Sequence, residues 1–382
     1  MKTPLAWLQL VRERVRLVIA IAGIGFADIL MFMQLGFRDA LFESATLIHQ
    51  KLDGDLVLIN TQSEAIHLLK PFSRRRLYQV LGVQGVESIS SVYLTGGSWK
   101  NHYSKNNRAI MIIGFNPNQP IFSFPEVNQQ IDKIKLTNQV IFDTASRPEF
   151  GPIESDFLQG RTVQTELNNY KVQVNGLFTL GTSFAIDGTV ITTDSNLLRF
   201  FPDRSQGNIE IGLIKIKNTS DPQLLKTKIQ SLLGKDIKVL THEEFVAFEK
   251  NYWANGTPIG FIFTLGTIMG FVVGTIIVYQ ILYADVADHL PEYATLKAMG
   301  YGDRYLLILV FQEALILAIV GYLPGLGISF GLYGLTKAAT KLPLMMELSR
   351  AIIVLILTII MCFCSGAIAV RKLQDADPAD IF

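Results

Sequence analysis

Apolar residues gather near the two ends of this chain and alternate with polar ones through its middle. Leu17 to Leu35 is a nearly continuous apolar run, about as long as the roughly 20 residues a helix needs to cross the hydrocarbon core. Ile259 to Tyr283 would give about 37 Å of helix at about 1.5 Å per residue, enough to cross with tilt. Tyr305 to Leu323 predicts a third span that stops at Pro324-Gly325, and Ile352 to Val370 a fourth that stops at Arg371-Lys372. The expected organisation is an amphipathic segment (1–16), a first span with an outward extension (17–41), a large domain (42–257) and a second span (258–284). A polar bridge (285–304), a third span (305–323), a loop (324–350), a fourth span (351–370) and a tail (371–382) complete it.

Lys2, Arg12, Arg14 and Arg16 precede the first span against the single acid Glu13, which by the positive-inside rule holds the N-terminal segment in the cytoplasm. Counting through the spans places the bridge and the tail there as well, and residues 42–257 and the 324–350 loop outside, in the periplasm of a cell with two membranes. The first run is expected to stay as an anchor, because it is too long for a leader's apolar region and carries Asp28. Tyr252 and Trp253, just ahead of the second span, are expected at the headgroup level.

The middle reads as a folded α+β domain. Strands are predicted at 55–59, 86–94, 109–114, 209–217 and 237–240, and helices at 73–81 and from Asp221-Pro222 through Leu233. These make two split βαβ-like halves, which flank a β-rich insertion at about 138–193 with strands at 170–180 and 189–193. Thr241 followed three residues later by Glu244 is a capping-box signature, and Phe37 to Gln50 is expected to carry the first helix outward. The predicted fold class is a membrane protein with four transmembrane α-helices and a large extracytoplasmic α+β domain, two βαβ-like halves plus a small β-rich insertion, between the first two spans.

A net charge of +1 with no basic stripe argues against a nucleic-acid partner. Cys362 and Cys364 lie two residues apart in the last span, about 200° apart around a helix, so they cannot bridge each other. The middle has no cysteine and therefore no disulfide or cysteine zinc site. No G-x-x-x-x-G-K-[ST] occurs, since Gly234-Lys235 is followed by Asp236, so this chain carries no nucleotide site of that kind and no cofactor is expected on it. The five histidines are scattered, without H-E-x-x-H or G-x-S-x-G, and no catalytic site is expected.

The bridge reads Asp288-His-Leu-Pro-Glu292-Tyr-Ala-Thr-Leu296-Lys297-Ala298-Met299-Gly300. Pro291 suits a first helical turn and Gly300 a C-terminal cap, and Glu292 and Leu296 share a face with Met299 adjacent. Such a surface fits a groove on a cytoplasmic partner or, alternatively, the headgroup layer. Glu292 to Gly300 resembles the Glu-Ile-Gly-x-Leu-Arg-Ala-x-Gly pattern of the MacB/FtsX/LolC-like mechanotransmission ABC permeases, departing from it at Tyr293 and Ala294. Gln312-Glu313-Ala314 with Gly321, and Asp377-Pro378-Ala379-Asp380, are similar to further patterns of that family. Leu5 to Leu10 and Ala22 to Ala40 are similar to the DevC-type permeases of cyanobacteria.

The resemblance implies a permease subunit in the inner membrane, acting as a homodimer, with ATP and Mg on a separate ABC ATPase that contacts Glu292, Leu296, Lys297, Ala298, Met299 and Gly300. For DevC-like proteins it further implies a membrane-fusion adaptor, a TolC-like outer-membrane channel and export of glycolipid or other amphiphilic cargo. The alternative within the same family is an FtsX-like signalling permease that regulates a periplasmic cell-wall hydrolase without transport.

Asp28 and Glu313 sit inside predicted spans, where an ionised carboxylate costs about 2.5–3.5 kcal/mol. They are expected to be protonated or hydrogen-bonded to partners such as Gln34, Gln280 or Gln312, or else to form a proton relay. Gly266, Gly270 and Gly274 form a stripe for close helix packing, within the chain or across a dimer. Arg74-Arg75-Arg76 reads as a solvated face rather than a binding patch. Gly96-Gly-Ser-Trp99 reads as a loop, with Trp99 either an exposed anchor for an adaptor or buried.

Overall fold

The computed structural model describes residues 12–291, 295, 299, 303–340 and 342–374. Two compact units emerge: a helical one (Met1–Ala40, Pro258–Thr340, Leu344–Phe382) and a mixed one (Leu41–Thr257 with Lys341–Pro343).

Among the described residues, four helices are long and apolar enough to cross a membrane: Arg14–Ala45, Pro258–Asp288, Asp303–Thr340 and Leu348–Gln374. They are called here the first to fourth span helices. Their shared core is built from small and apolar residues of all four, among them Ala20, Ile24, Ala27, Val278, Leu282, Ala314, Leu317, Ala318, Met361, Cys362 and Ala369. Small side chains let the backbones approach where lipid offers no hydrophobic drive for association. Phe261, Ile262, Leu265, Ile268, Met269, Val272 and Ile276 of the second helix stay exposed, as a lipid-facing surface requires.

The third helix corrects the sequence reading. Pro324 does not end it, because the helix runs on to Thr340 with the proline inside. A proline removes one backbone hydrogen bond, whereas a chain end inside hydrocarbon would strand several polar groups. Around Pro324 the backbone also packs closely: a Cβ on Gly25 would stand 3.5 Å from the Gly321 carbonyl and 3.6 Å from the Gly325 nitrogen.

The mixed unit is organised by a nine-stranded sheet of order β11-β1-β10-β3-β4-β8-β5-β7-β6. In chain order its strands are β1 (Leu56–Asn60), β3 (Val86–Lys100), β4 (Asn107–Phe115), β5 (Gln139–Asp143), β6 (Gln164–Leu167), β7 (Tyr170–Phe178), β8 (Thr189–Thr193), β10 (Ile211–Ile216) and β11 (Ile237–Thr241). A second small sheet pairs β2 (Phe72–Ser73) with β9 (Asn208–Ile209). β10 runs antiparallel between β1 and β3, and β1 antiparallel between β10 and β11. Helix Arg74–Gln79 connects β1 to β3 and helix Pro222–Leu233 connects β10 to β11. Two split βαβ halves therefore interlock in the ferredoxin-like manner. The 138–193 stretch supplies β5 to β8, which continue the same sheet beyond β4.

Local chemistry explains these elements. Helix Pro222–Leu233 starts where the Asp221 carboxylate accepts from the Gln223 and Leu224 amides, has Pro222 in its first turn, and stops at Gly234 with φ +82°. Its Leu225, Ile229 and Leu233, spaced by four, are buried. Strand β1 alternates between two cores: Leu56 and Leu58 join Leu225, Ile229 and Val239 on one face, while Val57 and Ile59 join Ile48, Ile66 and Phe245 on the other.

Trp99 is fully buried, and the predicted loop around it is the far half of β3, paired Gly96 to Met111 through Trp99 to Arg108. The glycine pair is not a turn: the Ile112 side chain occupies the place a Cβ on Gly97 would take. Trp99 packs against Phe142 at 5.3 Å between ring centroids, so it is a core residue and not an exposed anchor.

Candidate functional site

Within the helical unit, polar side chains are arranged in levels along the first span helix. In its first turn, the Arg16 guanidinium pairs with Glu13, the residue just before the helix, at 2.6 Å and with Asp285 at 3.5 Å and Asp288 on the second helix. Glu313 of the third helix is fully buried beside Asp285. Among the described residues, no hydrogen-bond donor reaches either Glu313 oxygen or Asp285 Oδ2. His289 Nδ1 lies 2.9 Å from the Asp285 carbonyl.

At the next level, Asp28 is fully buried and its Oδ1 accepts from the Thr358 hydroxyl of the fourth helix at 2.5 Å. Among the described residues, Asp28 Oδ2 has no hydrogen-bond partner. The glutamines named from the sequence do not serve these acids. Gln280 and Gln312 are exposed, and Gln34 fills the space a Cβ on Gly266 would need. Helical spacing alone gives each side chain's depth and leaves open which neighbouring helix it faces, so Thr358 and Asp285 escaped notice.

The glycine stripe faces the first helix. A Cβ on Gly270 would stand 3.3 Å from Leu30 Cβ, and one on Gly274 would stand 2.7 Å from Ala27 Cβ and collide with Met361. At the far level, the Arg350 guanidinium of the fourth helix donates to Asp39 Oδ2 at 3.2 and 3.1 Å and to the Met345 carbonyl at 2.8 Å. It also stacks over Tyr333, whose hydroxyl donates to the Phe32 carbonyl. A fourth span drawn from residue 351 leaves Arg350 out, which hid this pair from the sequence.

Glu292, Leu296, Lys297, Ala298 and Gly300 of the predicted coupling segment lie outside the described residues, as do Asp377 to Asp380. Of that segment, Met299 is 63% exposed and its amide donates to the Thr295 carbonyl at 3.1 Å, one helical turn.

In the mixed unit, the helices adjoining the spans in sequence, Leu47–Lys51 and His242–Asn251, are joined by buried groups. Glu249 accepts from the Ile66 amide at 2.8 Å and the Trp253 indole at 2.9 Å, and His49 Nε2 lies 3.3 Å from it. Trp253 is buried among these groups and stacks on His67 at 5.5 Å, so it is not placed as an interfacial anchor. Burial lowers the His67 imidazole's pKa, against the pull of Glu249. The Thr241 capping box forms, with Glu244 N to Thr241 Oγ1 at 3.2 Å and Thr241 N to Glu244 Oε2 at 2.9 Å.

Elsewhere in this unit a cavity of about 380 Å³ is walled by Leu94, Met111, His67, Asn208 and the Arg204–Glu210 ion pair. Burial pushes the Glu210 carboxyl up, opposed by Arg204. Arg76 pairs with Asp236 through two 3.0 Å hydrogen bonds and Arg74 stacks on Tyr78, while Arg75 is exposed. Among the described residues, no group of three metal-ligating side chains occurs.

No curated protein matches the chain. Among solved structures, the periplasmic region of MacB from Actinobacillus actinomycetemcomitans aligns over 53% of this chain and 96% of its own, at 13% identity and a TM-score of 0.33. The extracellular domain of YknZ, an ABC-type transporter from Gram-positive bacteria, aligns over 49% of this chain and 99% of its own, at 12% identity and a TM-score of 0.33. The sequence itself gives the firmer likeness: residues 259–378, from the second span helix into the C-terminal tail, match the family of FtsX-like permease C-terminal domains.

Proposed function

We propose that this chain is the membrane subunit of an ABC-type machine whose ATP is hydrolysed on a separate subunit. The observation that carries this reading is the FtsX-like match over residues 259–378, a segment that contains the polar bridge between the second and third span helices. The absence of a P-loop in the chain supports placing the nucleotide elsewhere. In this reading the bridge faces the cytoplasm, the helical unit spans the inner membrane, and the mixed unit stands on the opposite side. Motion applied to the bridge by the ATPase reaches the second and third helices first, which leave it directly in sequence.

The finer reading is an exporter of glycolipid or another amphiphile that works as a homodimer with a membrane-fusion adaptor and a TolC-like channel. It is supported by the likeness of Ala22 to Ala40 to DevC-type permeases and by an outer unit large enough to dock an adaptor. Glu292, Leu296, Lys297, Ala298, Met299 and Gly300 form the ATPase contact.

The test is purification of the full chain from its native membranes and assay of the captured complex for ATP hydrolysis. The parent chain brings an active ATPase with it, and Lys297→Glu loses most of that activity while leaving the yield of the chain unchanged. A parent chain that captures no ATPase, or full retention by Lys297→Glu, contradicts the assignment.

A further inference from the structure

The first span helix is held to its neighbours by polar contacts at three levels. The contact nearest the bridge has a feature the others lack. Arg16 reaches two carboxylates on a different helix, Asp285 and Asp288, which are three residues apart and therefore on one face. Asp288 is the last residue of the second helix, at the end that carries into the bridge sequence. Leu17, Ile281, Leu282 and Leu317 pack around the buried side of this cluster. Asp285 is also the neighbour of Glu313 on the third helix.

Small residues along the seam between the first and second helices let their backbones approach closely, and the Arg16 contact adds a directional, charged tie at the bridge end of that seam. A guanidinium held between two carboxylates one turn apart defines a single register. From this we infer that Arg16 is a positioning residue that ties the first span helix to the bridge end of the second, so that displacement of the bridge is carried into the first helix. That helix then runs without a break to Ala45. The inference rests on the proposed function, since it assumes that the bridge is what the ATPase moves.

The experiment uses the full chain with its co-purified ATPase, with Cys362 and Cys364 replaced by alanine and spin labels placed in pairs. One pair reports the first helix (Val18→Cys with Ile352→Cys) and the other the second (Ile276→Cys with Ile352→Cys), all at exposed positions. Distances are measured without nucleotide and with ATP plus vanadate. In the otherwise unaltered protein both pairs shift. Arg16→Ala keeps the second-helix shift and loses the first-helix shift, and the exchange Arg16→Asp with Asp288→Arg restores it.

Asp288→Asn, at a half-exposed position outside the buried core, guards against a folding defect in Arg16→Ala and reduces the first-helix shift by itself. A first-helix shift that survives both Arg16→Ala and Asp288→Asn overturns the inference. Absence of any shift in the second helix of the unaltered protein overturns instead the reading of the bridge beneath it.

Discussion

His49 Nε2 stands 3.3 Å from Glu249 Oε2, and both side chains are sealed from solvent. Glu249 is the centre of this contact, because the Ile66 amide and the Trp253 indole donate to the same carboxylate. One acid thus joins four segments of the mixed unit. Glu249→Ala removes the acceptor for both donors and leaves them buried and unpaired, at about 1–3 kcal/mol each. Glu249→Gln keeps one carbonyl oxygen and costs less. Denaturant unfolding followed by Trp253 fluorescence checks the order, with the alanine variant the less stable of the two.

The span helices make a prediction that separates close packing from mere presence of glycine. Gly274→Ala places a methyl against Ala27 and Met361 and destabilises the helical unit by about 1–3 kcal/mol. Gly331→Ala, inside the third helix where a Cβ meets nothing within 4 Å, does not lower the thermal midpoint in detergent and raises it if anything, since alanine is the better helix former.

Trp99 was open to two readings in the sequence, and its burial decides between them. Trp99→Ala is expected to cost about 3–5 kcal/mol of stability, the range for emptying a large aromatic site. A variant as stable as the parent would contradict this placement.

Asp187 carries a pH-dependent prediction. Burial pushes its carboxyl up, but hydrogen bonds from Arg108 at 3.0 and 2.7 Å and from Arg147 at 2.6 Å outweigh burial and hold it below the usual carboxylate range. A lowered folded-state pKa gives stability that is fully present above the unfolded value of about 3.9 and is lost as pH falls through the folded one. Asp187→Asn is therefore less stable than the parent at neutral pH, and the difference narrows in acid. Unfolding midpoints compared across that range test the sign.

Much of this architecture was legible because it obeys local rules. Asp221-Pro222 and Gly234 bracket their helix, Thr241 and Glu244 form the box their spacing announces, and the long apolar runs become the span helices. What escaped depends on partners far away in sequence. Gly96-Gly-Ser-Trp99 reads as a loop because the local pattern does not show the Ile112 side chain of the neighbouring strand, which takes the space beside Gly97. Pro324 looked like a stop because the cost of ending a helix in hydrocarbon is not written beside the proline. The partners of Arg16, Asp28 and Asp39 lie on other helices, and single-helix periodicity cannot pair them.

The central claim is that the bridge and the mixed unit face opposite sides of one membrane. Single cysteines at Met299 and Tyr103, both exposed and placed in a background without Cys362 and Cys364, test it with a membrane-impermeant maleimide on intact cells. Tyr103→Cys is expected to label from outside, and Met299→Cys only after the inner membrane is opened. Labelling of both positions from the same side would contradict the account.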